Sequence, residues 1–329
     1  MKGTKQSIVI RVPNWVGDAV VSTAILEPIR DYYPDANINI VAKEYVSAVF
    51  ENNPFIDDII VFRGFKNARR HIKGDIGIIL PNSFSSALLF AISGVKRRVG
   101  YRSEARSFLL TEAIPMPSLK EEHLIENYKR IVTYIFKDVK GATFIPKIFL
   151  NREMNAGEIL KKFGINKTKG IVIIDPGSAY GPAKIWLPSR YAKVIDFIMK
   201  EKGYTVVMLG SKDAEGIVQK ITEFAEKLPV VLTGKLSLRE AIYVISTARL
   251  FISPDTGGMH IAAALGTPQV AIFGSSSPVW TRPLNPRSRV IYKSLPCSPC
   301  FKRRCPLGTY ECLKSITSED VIEKINELI

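Results

Sequence analysis

Asp255, Thr256, Gly257 and Gly258 sit between a short apolar run, residues 250–252, and a helix-forming run, residues 259–265. The first amides of a helix have no partner within it and lie at the positive end of its dipole. Glycines there let a phosphate come close to those amides, and the Thr256 hydroxyl adds a donor. Asp255 is read either as a helix cap or as a carboxylate for polar hydroxyls such as those of a sugar. His260 lies one turn into the same helix, as a packed residue or a ligand contact. A second anion-binding stretch is Pro176 to Trp186, PGSAYGPAKIW, where Ser178 and backbone amides can donate and Lys184 can neutralise a pyrophosphate. Its spacing is not that of a P-loop. A third candidate is Gly17-Asp18, after the strand-like run of residues 7–12 and before a helix; Asp18 is a helix cap or a site carboxylate.

These residues need elements to hold them, and the chain alternates short apolar runs with helical patterns. Strands are expected at residues 7–12, 37–42, 59–62 and 75–80, with helices at 19–33, 44–51, 83–92 and 123–136. Residues 137–147 read as a linker. The pattern then restarts, with strands at 170–175, 205–209, 230–232, 250–252 and 269–273 and helices between them. Ser318 is the expected cap of a closing helix over residues 318–329. The expected class is α/β, with two Rossmann-like halves, each carrying polar turns at strand ends.

At 46% hydrophobic and 23% charged residues the chain is globular rather than disordered. Its 329 residues suit two domains better than one. No apolar run reaches the roughly 20 residues of a membrane span, and the N-terminal apolar run is too short for a signal sequence, so a cytoplasmic protein is expected. The formal charge of +15 calls for an anionic partner. Two basic clusters follow the third and fourth strands: Arg63 and Lys66 belong to one, Arg98 and Arg102 to the other. They are anion contacts or solvated faces. No module interleaves aromatic and basic residues as nucleic-acid binders do, so no nucleic-acid partner is expected.

All four cysteines fall in one stretch, Cys297, Cys300, Cys305 and Cys312. Disulfides are uncommon in a cytosolic chain. The cluster reads as a structural zinc site or as unligated packed thiols. Lys302, Arg303 and Arg304 would offset thiolate charge.

Four segments carry a resemblance: RVPNWVGDAVVSTAILEPIRDYYP, GSAYGPAKIW, PDTGGMHIAAALGTPQVAIFGSSSP and CSPCFKRRCPLGTYEC. Over nearly its whole length the sequence resembles glycosyltransferase family 9, the bacterial ADP-heptose:lipopolysaccharide heptosyltransferases, and most of all their heptosyltransferase II branch. Where the family often has Thr-Pro in its first helix, this chain has Thr23-Ala24. The resemblance implies a GT-B fold, two Rossmann-like domains facing a central cleft: an acceptor domain over residues 1–150, a donor domain over 151–315, and a helix over 316–329 that packs back toward the first domain. It implies inverting transfer of heptose from ADP-L-glycero-D-manno-heptose to the lipopolysaccharide inner core, with a lipid A–Kdo–heptose acceptor, at the anionic inner-membrane surface, and no cofactor required for catalysis. Another nucleotide-sugar enzyme of the same fold is the alternative. Carried over residue by residue, it makes Asp18 the general base, with Gly17 beside it, and places Lys184 and Ser178 at the donor phosphates. Asp255, Thr256, Gly257, Gly258 and His260 fall at the heptose and phosphates, Glu215 and Leu236 at the adenosine, and Arg63, Lys66, Arg98 and Arg102 at the acceptor.

Overall fold

The computed structural model describes residues 6–117, 120–151, 153–166 and 169–329. The chain forms two compact units, Met1–Leu150 and Asn151–Ile329. The first is a parallel sheet of β1 (Ser7–Arg11), β2 (Asn37–Ala42), β3 (Asp58–Val61), β4 (Ile76–Ile79), β5 (Arg97–Tyr101) and β6 (Glu112–Ile114) in the order β3-β2-β1-β4-β5-β6. The second repeats it with β7 (Ile171–Ile174), β8 (Thr205–Met208), β9 (Val230–Val231), β10 (Leu250–Pro254), β11 (Gln269–Phe273) and β12 (Ser288–Tyr292), in the order β12-β11-β10-β7-β8-β9. Both are doubly wound, and in each the winding reverses beside the unit's first strand, between β1 and β4 and between β7 and β10. In such sheets ligands gather at the carboxyl ends of the strands at that reversal. The continuous apolar runs of β4, β7, β10 and β11 are buried along their whole length, as central strands covered on both faces must be.

β5, β6 and β12 were not expected from the sequence. β5 is hidden by its own charges, Arg97 and Arg98, which the structure neutralises locally: Arg97 pairs across the strands with Glu112 (3.0 Å). The expected helix over residues 19–33 is broken into Val16–Ser22, a 3₁₀ turn at Thr23–Ile25 and Leu26–Tyr32. Pro28 has no N–H to continue the ladder, and the hydroxyls of Ser22 and Thr23 donate back to carbonyls three residues earlier (2.7 Å each). Residues 137–147 are not a free linker: Lys147 donates its backbone N–H to Thr23 (2.9 Å) and its ammonium to Glu27 (2.5 Å), both in the first unit.

The closing helix, Ser318–Asn326, is capped by Thr317 rather than Ser318, through a reciprocal bond with Asp320. Val321 and Ile325 are fully buried in the second unit's core, with Trp186, Leu313 and Ile316. Its apolar stripe is thereby spent on the second sheet. Among the described residues no helix is long and apolar enough to cross a membrane.

Candidate active site

In the second unit, β10 delivers Asp255 directly to the start of the helix Gly257–Ala264, at the sheet's reversal point. Asp255 is not the cap. Thr256 holds that position, with extended backbone and no side-chain capping bond. The Asp255 carboxylate, only 5% exposed, instead accepts from the Lys184 ammonium at 2.6 Å. Lys184 also donates to the Asp255 carbonyl (3.2 Å) and lies 4.8 Å from the centre of the Tyr180 ring. The two anion-binding stretches of the sequence therefore meet in one buried ion pair.

Gly258 is required for a reason beyond ligand approach. A Cβ there would stand 2.7 Å from Asp175 Oδ2 and 2.9 Å from the Phe251 ring. The glycine's missing side chain is filled from inside the unit. The Thr256 hydroxyl is buried without a hydrogen-bond partner, and so are those of Ser253, Ser275 and Ser276 at the ends of β10 and β11. Four such hydroxyls, each costing about 1–3 kcal/mol if left unmade, suit a polyoxygenated ligand. Only Thr256 of these was a candidate from the sequence. His260 is buried on the same helix.

The loop that carries Lys184 is fixed at its far end by Trp186, which is fully buried, donates its indole N–H to Ile316 (3.0 Å) and meets Tyr191 edge to face. Ser178 is half-buried, and its carbonyl accepts from the Gly181 amide (3.2 Å). Glu215 opens the helix after β8, exposed, and Leu236 follows β9, half-buried. Every second-unit candidate therefore lies at the carboxyl side of the sheet.

Asp175, directly after β7, was not singled out from the sequence, where it closes an apolar strand before Pro-Gly. Its carboxylate packs against the backbone of Gly258 and Gly210. Burial pushes it from 3.8 up to about 6, against the opposing pull of the Gly177 amide. A raised carboxyl favours the fold while protonated, and that contribution is lost as the pH rises from about 4 through about 6. An Asp175→Asn chain is expected to melt higher than wild type at pH 7.5, by an amount equivalent to roughly 1–3 kcal/mol. The gap is expected to narrow progressively as the pH falls from about 6 to about 4, which thermal melts across that range will read.

In the first unit the turn after β1 is built by Arg11. Its buried guanidinium donates to the carbonyls of Val12 (2.8 Å) and Val41 (2.9 Å) and to the Asn14 side chain (2.7 Å). Burial lowers its pKa to about 10. From the sequence Arg11 reads as a strand residue, and a lone charge inside an apolar strand is the only local signal of this role. The turn leads into the helix Val16–Ser22, with Trp15 as its cap residue and Gly17 and Asp18 in the first turn, both half-buried. Asp18 is thus inside the helix rather than capping it. It lies close enough to Tyr128 that its charge adds to burial, the larger cause, in pushing that phenol well above its ordinary value.

The basic candidates separate. Arg63 is exposed and paired with Glu44 (2.9 Å), and Lys66 and Arg102 are exposed on segments after β3 and β5. Arg98 is half-buried. It sits at the amino end of β5, and its guanidinium is used on the carbonyls of Leu109 (2.7 Å), Val95 (2.6 Å) and Lys96 (3.3 Å). The nearby Arg106 is likewise structural, fully buried on the carbonyls of Tyr101, Pro81 and Ser83.

The four cysteines are free thiols that line one cavity of about 20 Å³ together with Ala183 and Ser275. The Tyr310 amide donates to Cys305 Sγ (3.4 Å) and, with the amides of Leu307 and Thr309, holds that thiol below its usual range. Burial, and secondarily the other three thiols, raise Cys312. Among the described residues no three His, Cys, Asp or Glu side chains are already drawn into a metal-binding array.

Against known proteins, residues 65–311 match glycosyltransferase family 9 (heptosyltransferase). The chain is 31% identical to lipooligosaccharide heptosyltransferase 2 of Haemophilus influenzae, covering 98% of this chain and 99% of that protein. It is 28% identical to lipopolysaccharide heptosyltransferase 2 of Salmonella typhimurium, over 98% of both. The solved structure of E. coli ADP-heptose lipopolysaccharide heptosyltransferase II superposes with a TM-score of 0.85 at 26% identity, over 98% of each chain. Two Rossmann-like units with this likeness bear out the expected GT-B class. The chain belongs to glycosyltransferase family 9, the heptosyltransferases.

Proposed function

We propose that this chain transfers heptose, with inversion, from ADP-L-glycero-D-manno-heptose to a lipid A–Kdo–heptose acceptor of the lipopolysaccharide inner core. The observation that carries this reading is the Lys184–Asp255 pair at the reversal of the second sheet, beside the amides of the Gly257 helix and four partnerless hydroxyls. A sugar diphosphate needs such a set: a cation and amides for the phosphates, and a carboxylate and hydroxyls for the sugar. The full-length likeness to heptosyltransferases 2 supports the choice of donor and acceptor.

On this reading Asp18 takes the proton of the attacking acceptor hydroxyl. The hydroxyl oxygen bonds to the anomeric carbon on the face opposite ADP, and the bond from that carbon to the β-phosphate oxygen breaks. Lys184 and the amides at Thr256 to Gly258 stabilise the charge gathering on ADP. Glu215 and Leu236 flank the adenosine, and Arg63, Lys66, Arg98 and Arg102 meet the acceptor's anionic groups. The step draws on no cofactor. A structural zinc on Cys297, Cys300, Cys305 and Cys312 would stand apart from it. The charge of +15 suits work from the cytoplasmic side against an anionic inner-membrane surface.

Thermal melts with nucleotides test the donor. ADP and ADP-heptose at about 100 times Kd are expected to raise Tm by roughly 5 °C. Protection by UDP-sugars in place of ADP would overturn the assignment.

A further inference from the structure

Residues 293–310, between β12 and the short helix Glu311–Lys314, hold no regular secondary structure, yet they contact both sides of the donor site. The Phe301 amide donates to the Ser275 carbonyl (2.8 Å), and the Ser298 hydroxyl donates to the Gly274 carbonyl (2.6 Å). On the other side the Tyr180 hydroxyl donates to the Phe301 carbonyl (2.6 Å), and the Ala183 amide donates to the Arg303 carbonyl (3.1 Å). The backbones meet so closely at Gly181 (φ 141°) that a Cβ would stand 2.6 Å from the Arg303 oxygen. The Arg303 guanidinium lies 5.5 Å and the Lys184 ammonium 4.8 Å from the centre of the same Tyr180 ring. Phe301 and Tyr310 both hold left-handed backbone (φ 52° and 54°), which a non-glycine residue keeps only where its surroundings impose it.

An irregular stretch this long needs something to close it. Its three thiols and that of Cys312, in the helix that follows, line one cavity with room for a single ion, and that cavity also touches Ala183 and Ser275, the residues through which the stretch grips the two donor loops. The Tyr310 amide already donates to Cys305 Sγ, an outer contact of the kind that orients a metal-bound sulfur.

We propose that Cys297, Cys300, Cys305 and Cys312 take up one soft divalent cation of the zinc class, and that the metal-closed loop is a brace that holds Tyr180 and Lys184 in place for the donor diphosphate. Uptake draws the four sulfurs in around the ion. Four thiols lose their protons to solvent and form four metal–sulfur bonds, leaving a net charge of −2 on the site. Lys302, Arg303 and Arg304, within the loop itself, offset that charge. The metal takes no part in the transfer. The coupling to Lys184 rests on the donor reading above, whereas the metal site does not.

The test uses the full-length chain under reducing conditions. Metal content is measured after purification, the metal is stripped with a chelator, and Co²⁺ is titrated back while sulfur-to-cobalt charge-transfer absorption is recorded. ADP affinity is measured by calorimetry on stripped and zinc-loaded protein. The expected result is one metal per chain, the cobalt–thiolate band, and ADP binding about tenfold weaker in the stripped protein and restored by zinc. Tyr180→Phe, which loses the bond to Phe301 and no thiol, is expected to keep the cobalt band and bind ADP several-fold more weakly. No cobalt band from wild type would overturn the metal site. A normal band with ADP affinity indifferent to stripping and to Tyr180→Phe would overturn the brace. Loaded protein that binds no ADP at all would remove the donor reading and the brace with it, while the cobalt band would still stand for the metal site.

Discussion

Lys184→Ala is expected to weaken ADP-heptose binding by about 10- to 100-fold, the worth of one charge-assisted bond to a diphosphate at roughly 1.5–3 kcal/mol. The same change also touches stability, because it leaves Asp255, 5% exposed, without the ammonium at 2.6 Å. Removing one partner of a buried pair costs about 3–5 kcal/mol, and the 15% exposure of Lys184 sets this pair toward the lower end. The two effects are separable. The double variant Lys184→Met/Asp255→Asn removes both charges, so its Tm is expected to recover most of the loss. Its affinity for ADP-heptose is expected to stay low, since the diphosphate has still lost its cation. Calorimetric titration of the two variants alongside their melting curves reads this directly. A double variant that recovers affinity together with Tm would make Lys184 a structural residue only.

The parts of this site that were legible in the sequence were those with a local signature. Gly-rich turns between an apolar run and a helical run mark strand ends, so the residue order alone puts Asp18, Lys184 and Asp255 to Gly258 at such turns. What the sequence could not supply was long-range pairing. Lys184 and Asp255 are 71 residues apart, and nothing local says that one lies on the other. Asp255 and Asp18 could each be read as a helix cap or as a site carboxylate, and only the backbone shows that Thr256 and Trp15 hold the cap positions.

Charge hid local structure. The basic run that holds Arg98 is a strand, and its guanidinium groups satisfy local carbonyls and Glu112. Asp175 looked like an ordinary strand end and Arg11 like a residue within a strand, although the sheet sets each beside a site turn. The closing helix was legible as a helix, but its destination was not. An amphipathic stripe says that a face is buried, and only the packed core of Trp186, Leu313, Ile316, Val321 and Ile325 says against what.

On the proposed function, Asp18 is the base for transfer to a heptose-bearing acceptor. Asp18→Asn keeps the size and polarity of the side chain in the first turn of its helix and removes only the carboxylate's capacity to take a proton. A positioned general base contributes about 10²–10⁴ in rate, so kcat is expected to fall about 10³-fold. Asp18 lies in the first unit and the donor residues lie in the second, so Kd for ADP-heptose is expected to change less than about threefold. The most direct measurement is single-turnover transfer from ADP-heptose to a lipid acceptor that already carries one heptose, comparing wild type with Asp18→Asn. Complete transfer is expected from wild type, and the variant is expected to bind ADP-heptose normally but to transfer about a thousandfold more slowly. A variant as fast as wild type would contradict Asp18 as the base, and a wild type that binds ADP-heptose tightly yet transfers nothing would contradict the acceptor.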